Sequence, residues 1–109
     1  MSPEAEKTRR EFLEEALRQD PNNTFVRYGL AMEYVNRDEI ATGLAEFDKL
    51  LQEHPDYTAG YQMAAQTLAK EERTAEAIEK LNAGIATARR TGNNHAMSEM
   101  QGMLDELER

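Results

Sequence analysis

Apolar residues along the chain recur at spacings of three and four, the pattern of one face of an α-helix, and no stretch shows the strict alternation of a half-buried strand. Prolines at 3, 21 and 55 punctuate this pattern. Ser2-Pro3-Glu4 reads as an N-cap, a first-turn proline and an acid suited to the helix dipole. It opens a helix that Asp20-Pro21 ends, with Phe12, Leu13, Ala16 and Leu17 as its stripe. After Asn22-Asn23 a second helix is predicted over Thr24 to Asn36, with Leu30, Ala31 and Tyr34 on one side. Asp38 is expected to cap a third, which carries Leu44, Phe47, Leu50 and Leu51 until His54-Pro55 closes it. The fourth spans Thr58 to Lys70, and the fifth runs from Thr74 to Arg90 and ends near Gly92, a left-handed cap. Asn93 or Asn94 starts a sixth, whose Met97, Met100, Leu104 and Leu107 again repeat at helical spacing. The fold class is therefore all-α, and the short connections favour antiparallel hairpins.

Composition narrows the chemistry. The 109 residues suit one domain, and 13 Lys plus Arg against 21 Asp plus Glu give a formal charge of −8, which disfavours nucleic acid and anionic membrane surfaces as partners. Without cysteine there is no disulfide, thiolate nucleophile or sulfur-bound metal, and two histidines cannot make an all-His zinc site. The polar N-terminus carries no apolar targeting stretch and no window reaches the length of a membrane span, which sets cytoplasmic location as the expectation. His54 and His95 fall at loops or helix starts, where solvated imidazoles are expected. Glu14-Glu15 and Glu71-Glu72 are sequential in helices, so their side chains diverge. The Asp20-to-Thr24 run has Phe25 where a calcium loop needs its turn glycine, and no phosphate loop or nucleophile motif occurs. No enzymatic activity, cofactor or metal is expected.

Pro21 and Pro55 lie 34 residues apart and set a register in which Thr24–Tyr57 aligns with Thr58–Thr91. Ala31 then meets Ala65, Tyr34 meets Leu68, Leu44 meets Ile78, Phe47 meets Leu81 and Leu51 meets Ile85. At these positions the chain resembles the tetratricopeptide repeat family. Leu30, Ala31 and Tyr34, then Tyr61, Ala65 and Leu68, answer the first-helix motif. Gly43, Phe47 and Pro55, then Ala77, Leu81 and Gly84, answer the second. Departures are Arg27 for the first aromatic, Leu50 for a small residue, Ala64 for a leucine and Arg89 for the closing proline. The resemblance implies antiparallel helical hairpins stacked in a short right-handed superhelix. It divides the chain into an N-terminal half-repeat helix (3–20), two repeats (24–57 and 58–91) and a C-terminal capping helix (93–108).

A protein-interaction scaffold follows from the resemblance, with the first-helix wall as the surface that takes a peptide or partner protein. On the second helix, Phe25, Tyr28, Met32 and Val35 project to a different side from Leu30, Ala31 and Tyr34, forming an apolar strip with Asn36 at its end. The matching residues of the fourth helix include Gln62, Gln66, Ala69 and Lys70, where the glutamines offer both donor and acceptor. Some members of the family clamp a C-terminal carboxylate on these faces with Lys, Arg and Asn. Here Tyr28, Met32 and Gln66 stand at those places and only Asn36 and Lys70 are suitable, so that clamp is not expected. The alternative is a homodimer, self-associating through exposed terminal helices.

Overall fold

The computed structural model describes residues 8–109, in which six helices follow one another. They are α1 (Arg9–Gln19), α2 (Thr24–Asn36), α3 (Ile40–Glu53), α4 (Thr58–Lys70), α5 (Thr74–Thr91) and α6 (Asn94–Leu107), and no strand occurs among the described residues. Two compact units divide within α3, after Leu50.

In the first unit, Thr8 is extended and its hydroxyl accepts from the Glu11 amide, so α1 begins at Arg9. The sequence puts that start at Ser2-Pro3-Glu4, which lie outside the described residues. Asn23 caps α2 through its side-chain oxygen, 3.0 Å from the Val26 amide. Hairpin packing rests on a close approach: a Cβ added to Gly43 of α3 would lie 2.6 Å from Cγ2 of Val35 and 3.1 Å from the Ala31 carbonyl oxygen. Ala31 itself is fully buried, as the small residue at such a crossing must be.

Asp38 does not cap α3. It sits at φ 63° after the end of α2, where its amide donates to Val35 and the next amide, of Glu39, reaches back to Tyr34 at 2.9 Å. These two bonds satisfy carbonyls that the last turn of a helix leaves open, so the residue serves the helix behind it. Glu72, one repeat later, repeats the arrangement at φ 61°, its amide donating to Ala69 and that of Arg73 to Leu68 at 2.9 Å. The 34-residue period thus extends to backbone dihedrals. After α5 the left-handed residue is Gly92 at φ 75°, with the Asn93 amide bonded to Ala88 and the Asn93 side chain capping α6 at Ala96.

The second unit packs α4 against α5 and α6 around Ala65, Leu81, Ile85, Ala88, Ala96, Met100 and Leu104. Gly84 permits this, because a Cβ there would fall 2.8 Å from Cβ of Tyr61 and 2.5 Å from Sδ of Met100. Each large aliphatic side chain buried in this way contributes about 1.5–3 kcal/mol.

Burial follows the repeat pair by pair: Ala31 with Ala65, Phe47 with Leu81 and Leu51 with Ile85 are all buried. Arg27, the departure from the aromatic position, keeps its bonding role. Its Nη2 donates to the Pro21 carbonyl at 3.3 Å, as the Tyr61 hydroxyl donates to the equivalent Pro55 carbonyl at 2.8 Å. The charge that Arg27 takes into the interior is met by Glu46, with Nη1 3.0 Å from Oε2.

Candidate partner-binding surfaces

Seven of the nine residues expected to contact a partner line two surface grooves, one in each unit, and Val35 and Gln62 line neither. In the first unit, Phe25, Tyr28, Met32 and Asn36 of α2 border a groove of about 370 Å³, together with Gly29 and Glu33 and with Arg9 and Leu13 from α1. Phe25 stands at its mouth, 75% exposed. Tyr28 is held edge-on by Phe47, with ring centroids 6.1 Å apart and planes at 62°, an arrangement that fixes a half-buried ring without hiding it. Val35 takes a different course, its γ2 methyl directed at the backbone of Gly43.

Glu33 supplies buried charge at this groove. Arg37 Nε lies 3.2 Å from one carboxylate oxygen and Arg9 Nε 3.9 Å from the other, so the acid is neutralised from two sides. Nearby, the Arg10 guanidinium lies over the Tyr34 ring at 5.5 Å and pairs with Glu39. Burial raises the Tyr34 hydroxyl pKa above its ordinary value, with help from Glu14, Glu46 and Glu39, while Arg10 pulls it down.

In the second unit, Gln66, Ala69 and Lys70 of α4 border a shallower groove of about 330 Å³ whose other wall is Met103, Glu106 and Leu107 of α6. Gln66 and Lys70 are exposed at its rim, while Gln62 is half-buried and outside the lining. A third depression, between α5 and α6, is lined by Arg89, Met97, Ser98, Gln101, Gly102 and Asp105, none of them among the residues expected to contact a partner.

Sequence reasoning passed over Leu13, Gly29 and Glu33 in the first groove and Met103 and Leu107 in the second. Leu13 was detectable, because it falls 34 residues before Phe47 and 68 before Leu81, both fully buried. Among the described residues no group of His, Asp and Glu is disposed to hold a metal, and no helix is long and apolar enough to cross a membrane. His95 is exposed, its Nε2 3.3 Å from a Glu99 carboxylate oxygen.

Comparison with known proteins agrees with this hairpin architecture. A tetratricopeptide repeat domain protein from Salinibacter ruber, solved in solution, is 34% identical and superposes with a TM-score of 0.78 over 82% of this chain and 90% of its own. The chain belongs to the tetratricopeptide repeat family. No family model matches it. A curated tetratricopeptide repeat-containing protein of Pseudomonas aeruginosa is 26% identical over 91% of this chain and 94% of its own length. The TPR2B domain of yeast Sti1, solved in a complex with pHsp70, shares the fold with a TM-score of 0.83 at 15% identity, over 91% of this chain and 79% of the other. Membership makes this a protein-interaction scaffold in the general sense, built from tetratricopeptide hairpins.

Proposed function

We propose that this tetratricopeptide repeat protein acts as a non-catalytic adaptor in the cytoplasm and binds a peptide or partner protein on first-helix residues of α2 and α4. The observation that carries the reading is the placement of Phe25, Tyr28, Met32 and Asn36 on one groove and Gln66, Ala69 and Lys70 on another. An exposed phenyl ring beside a half-buried methionine and tyrosine forms the kind of anchor that dominates protein interfaces. The glutamine and lysine of the second groove suit hydrogen bonding to a polypeptide backbone or carboxylate. The Sti1 domain, solved with pHsp70, lends the reading support by analogy of fold alone.

The test is co-purification from the native host with three baits: the wild type, Tyr28→Ala with Met32→Ala, and Gln66→Ala with Lys70→Ala. Loss of the same partner from both variants is expected. Equal recovery by all three baits would exclude both surfaces. Self-association is a second reading, favoured by α1, which has no buried residue. Sedimentation over a concentration range separates it from a monomer.

A further inference from the structure

The internal repeat specifies what the α1–α2 groove is shaped to hold. In the 34-residue register, α1 and α2 correspond to α5 and α6 two repeats on, so Leu13 matches Leu81, Ala16 matches Gly84 and Met32 matches Met100. The groove residues Arg9, Tyr28, Gly29 and Asn36 match Ala77, Ala96, Met97 and Leu104. Those counterparts are core: Ala77, Leu81 and Met100 are fully buried, Ala96 and Leu104 nearly so, and Met97 packs against them. What covers them is α4, which packs on α5 and α6 with Tyr61, Ala65 and Leu68 on its buried side. In the first unit α1 packs against α2, and Leu13, Gly29 and Met32 line a groove where their counterparts line a core.

We infer that this groove accepts an amphipathic helix from another protein, seated antiparallel to α1 as α4 is to α5, with a small residue facing Ala16 and Gly29 and larger apolar ones a turn to either side. The inference rests on the reading that α2 carries a partner surface, and it names the class of partner. A second copy is a poor donor. Its α4 and α6 already turn their buried stripes into its own core, and the exposed residues of α6 are Asn94, His95, Ser98, Glu99, Gln101, Gly102, Asp105 and Glu106, none of them a large apolar group.

The probe is a peptide with the α4 sequence, Thr58–Lys70, held helical by a side-chain crosslink and titrated into the isotope-labelled full chain. Saturable shifts of the Leu13, Gly29 and Met32 amides are expected, with a dissociation constant below about 1 mM. The same peptide carrying Ala65→Pro should not bind, because proline breaks the helix. Met32→Glu should weaken binding about tenfold or more. Since Met32 is half-buried, Phe25→Glu at the exposed mouth provides a variant whose fold is not at risk and should weaken binding as well. Absence of saturation, or shifts in α5 and α6 from displacement of α4, would overturn the inference. Saturable shifts confined to Gln66, Lys70 and Met103 would overturn it too, while leaving the α4 part of the adaptor reading intact. Self-association that Phe25→Glu abolishes would assign the groove to a second copy instead.

Discussion

The helix pairs α1–α2 and α5–α6 are built on one register and end in opposite conditions. In the C-terminal pair a methionine, a leucine and a glycine are sealed by α4. In the N-terminal pair the corresponding methionine, leucine and alanine remain only half-buried. Nothing in the apolar spacing of the two pairs distinguishes them. Burial therefore depends on whether a third helix packs on the pair, and a stripe that makes core in one setting stays half-exposed in the other.

The sharpest way to break this comparison is to truncate the matched methionines. Met100→Ala removes a fully buried side chain and should cost about 2–5 kcal/mol in denaturant unfolding. Met32→Ala should cost less, about 1–2 kcal/mol, since Met32 is only partly buried where Met100 is fully so. Equal costs would mean that the N-terminal groove is closed in solution.

Arg27 and Tyr61 provide the next contrast. Arg27→Ala strands the Pro21 carbonyl and leaves Glu46 without a buried partner, for an expected loss of about 2–3 kcal/mol. Arg27→Tyr, which imports the residue of the following repeat, should fall within about 1 kcal/mol of wild type. Smaller effects come from the left-handed turns. Asp38→Gly and Glu72→Gly relieve a Cβ penalty and should each stabilise by about 0.5–1 kcal/mol, whereas Gly92→Ala imposes one and should destabilise by a similar amount.

The smallest effect is alkaline. Burial raises the Tyr57 hydroxyl in the second unit, and burial plus three carboxylates raise Tyr34 in the first. A folded value above the unfolded one, about 10, favours the neutral phenol on folding. That contribution is complete below about pH 10 and is lost as pH climbs through the folded values. Melting temperature against pH should therefore decline less steeply in Tyr34→Phe and Tyr57→Phe. Added salt should shrink the Tyr34 effect, part of which is charge repulsion, more than that of Tyr57.

Most of the helical plan was legible in sequence because proline, asparagine and glycine act on the backbone locally. Thr24–Asn36 and Thr58–Lys70 coincide with their helices, and Asn93 and Gly92 occupy the roles their chemistry suits. Asp38 misled because aspartate prefers an N-cap, and its positive φ depends on how the chain must turn between two packed helices. The site was legible in part for a similar reason. Periodicity puts Phe25, Tyr28 and Met32 on one side of α2, yet the direction of Val35 is decided by the absence of a Cβ at Gly43 on another helix. Met103 and Leu107 reach the second groove only because α6 packs beside α4, a tertiary fact.

Arg27 redefines what its place in the motif demands. If a guanidinium can stand in for a phenol there, the requirement is reach and a proton to give to the proline carbonyl, and aromaticity is one way of meeting it. Hairpins of this kind can then be recognised, or designed, from an arginine and an acid nineteen residues later as readily as from a ring.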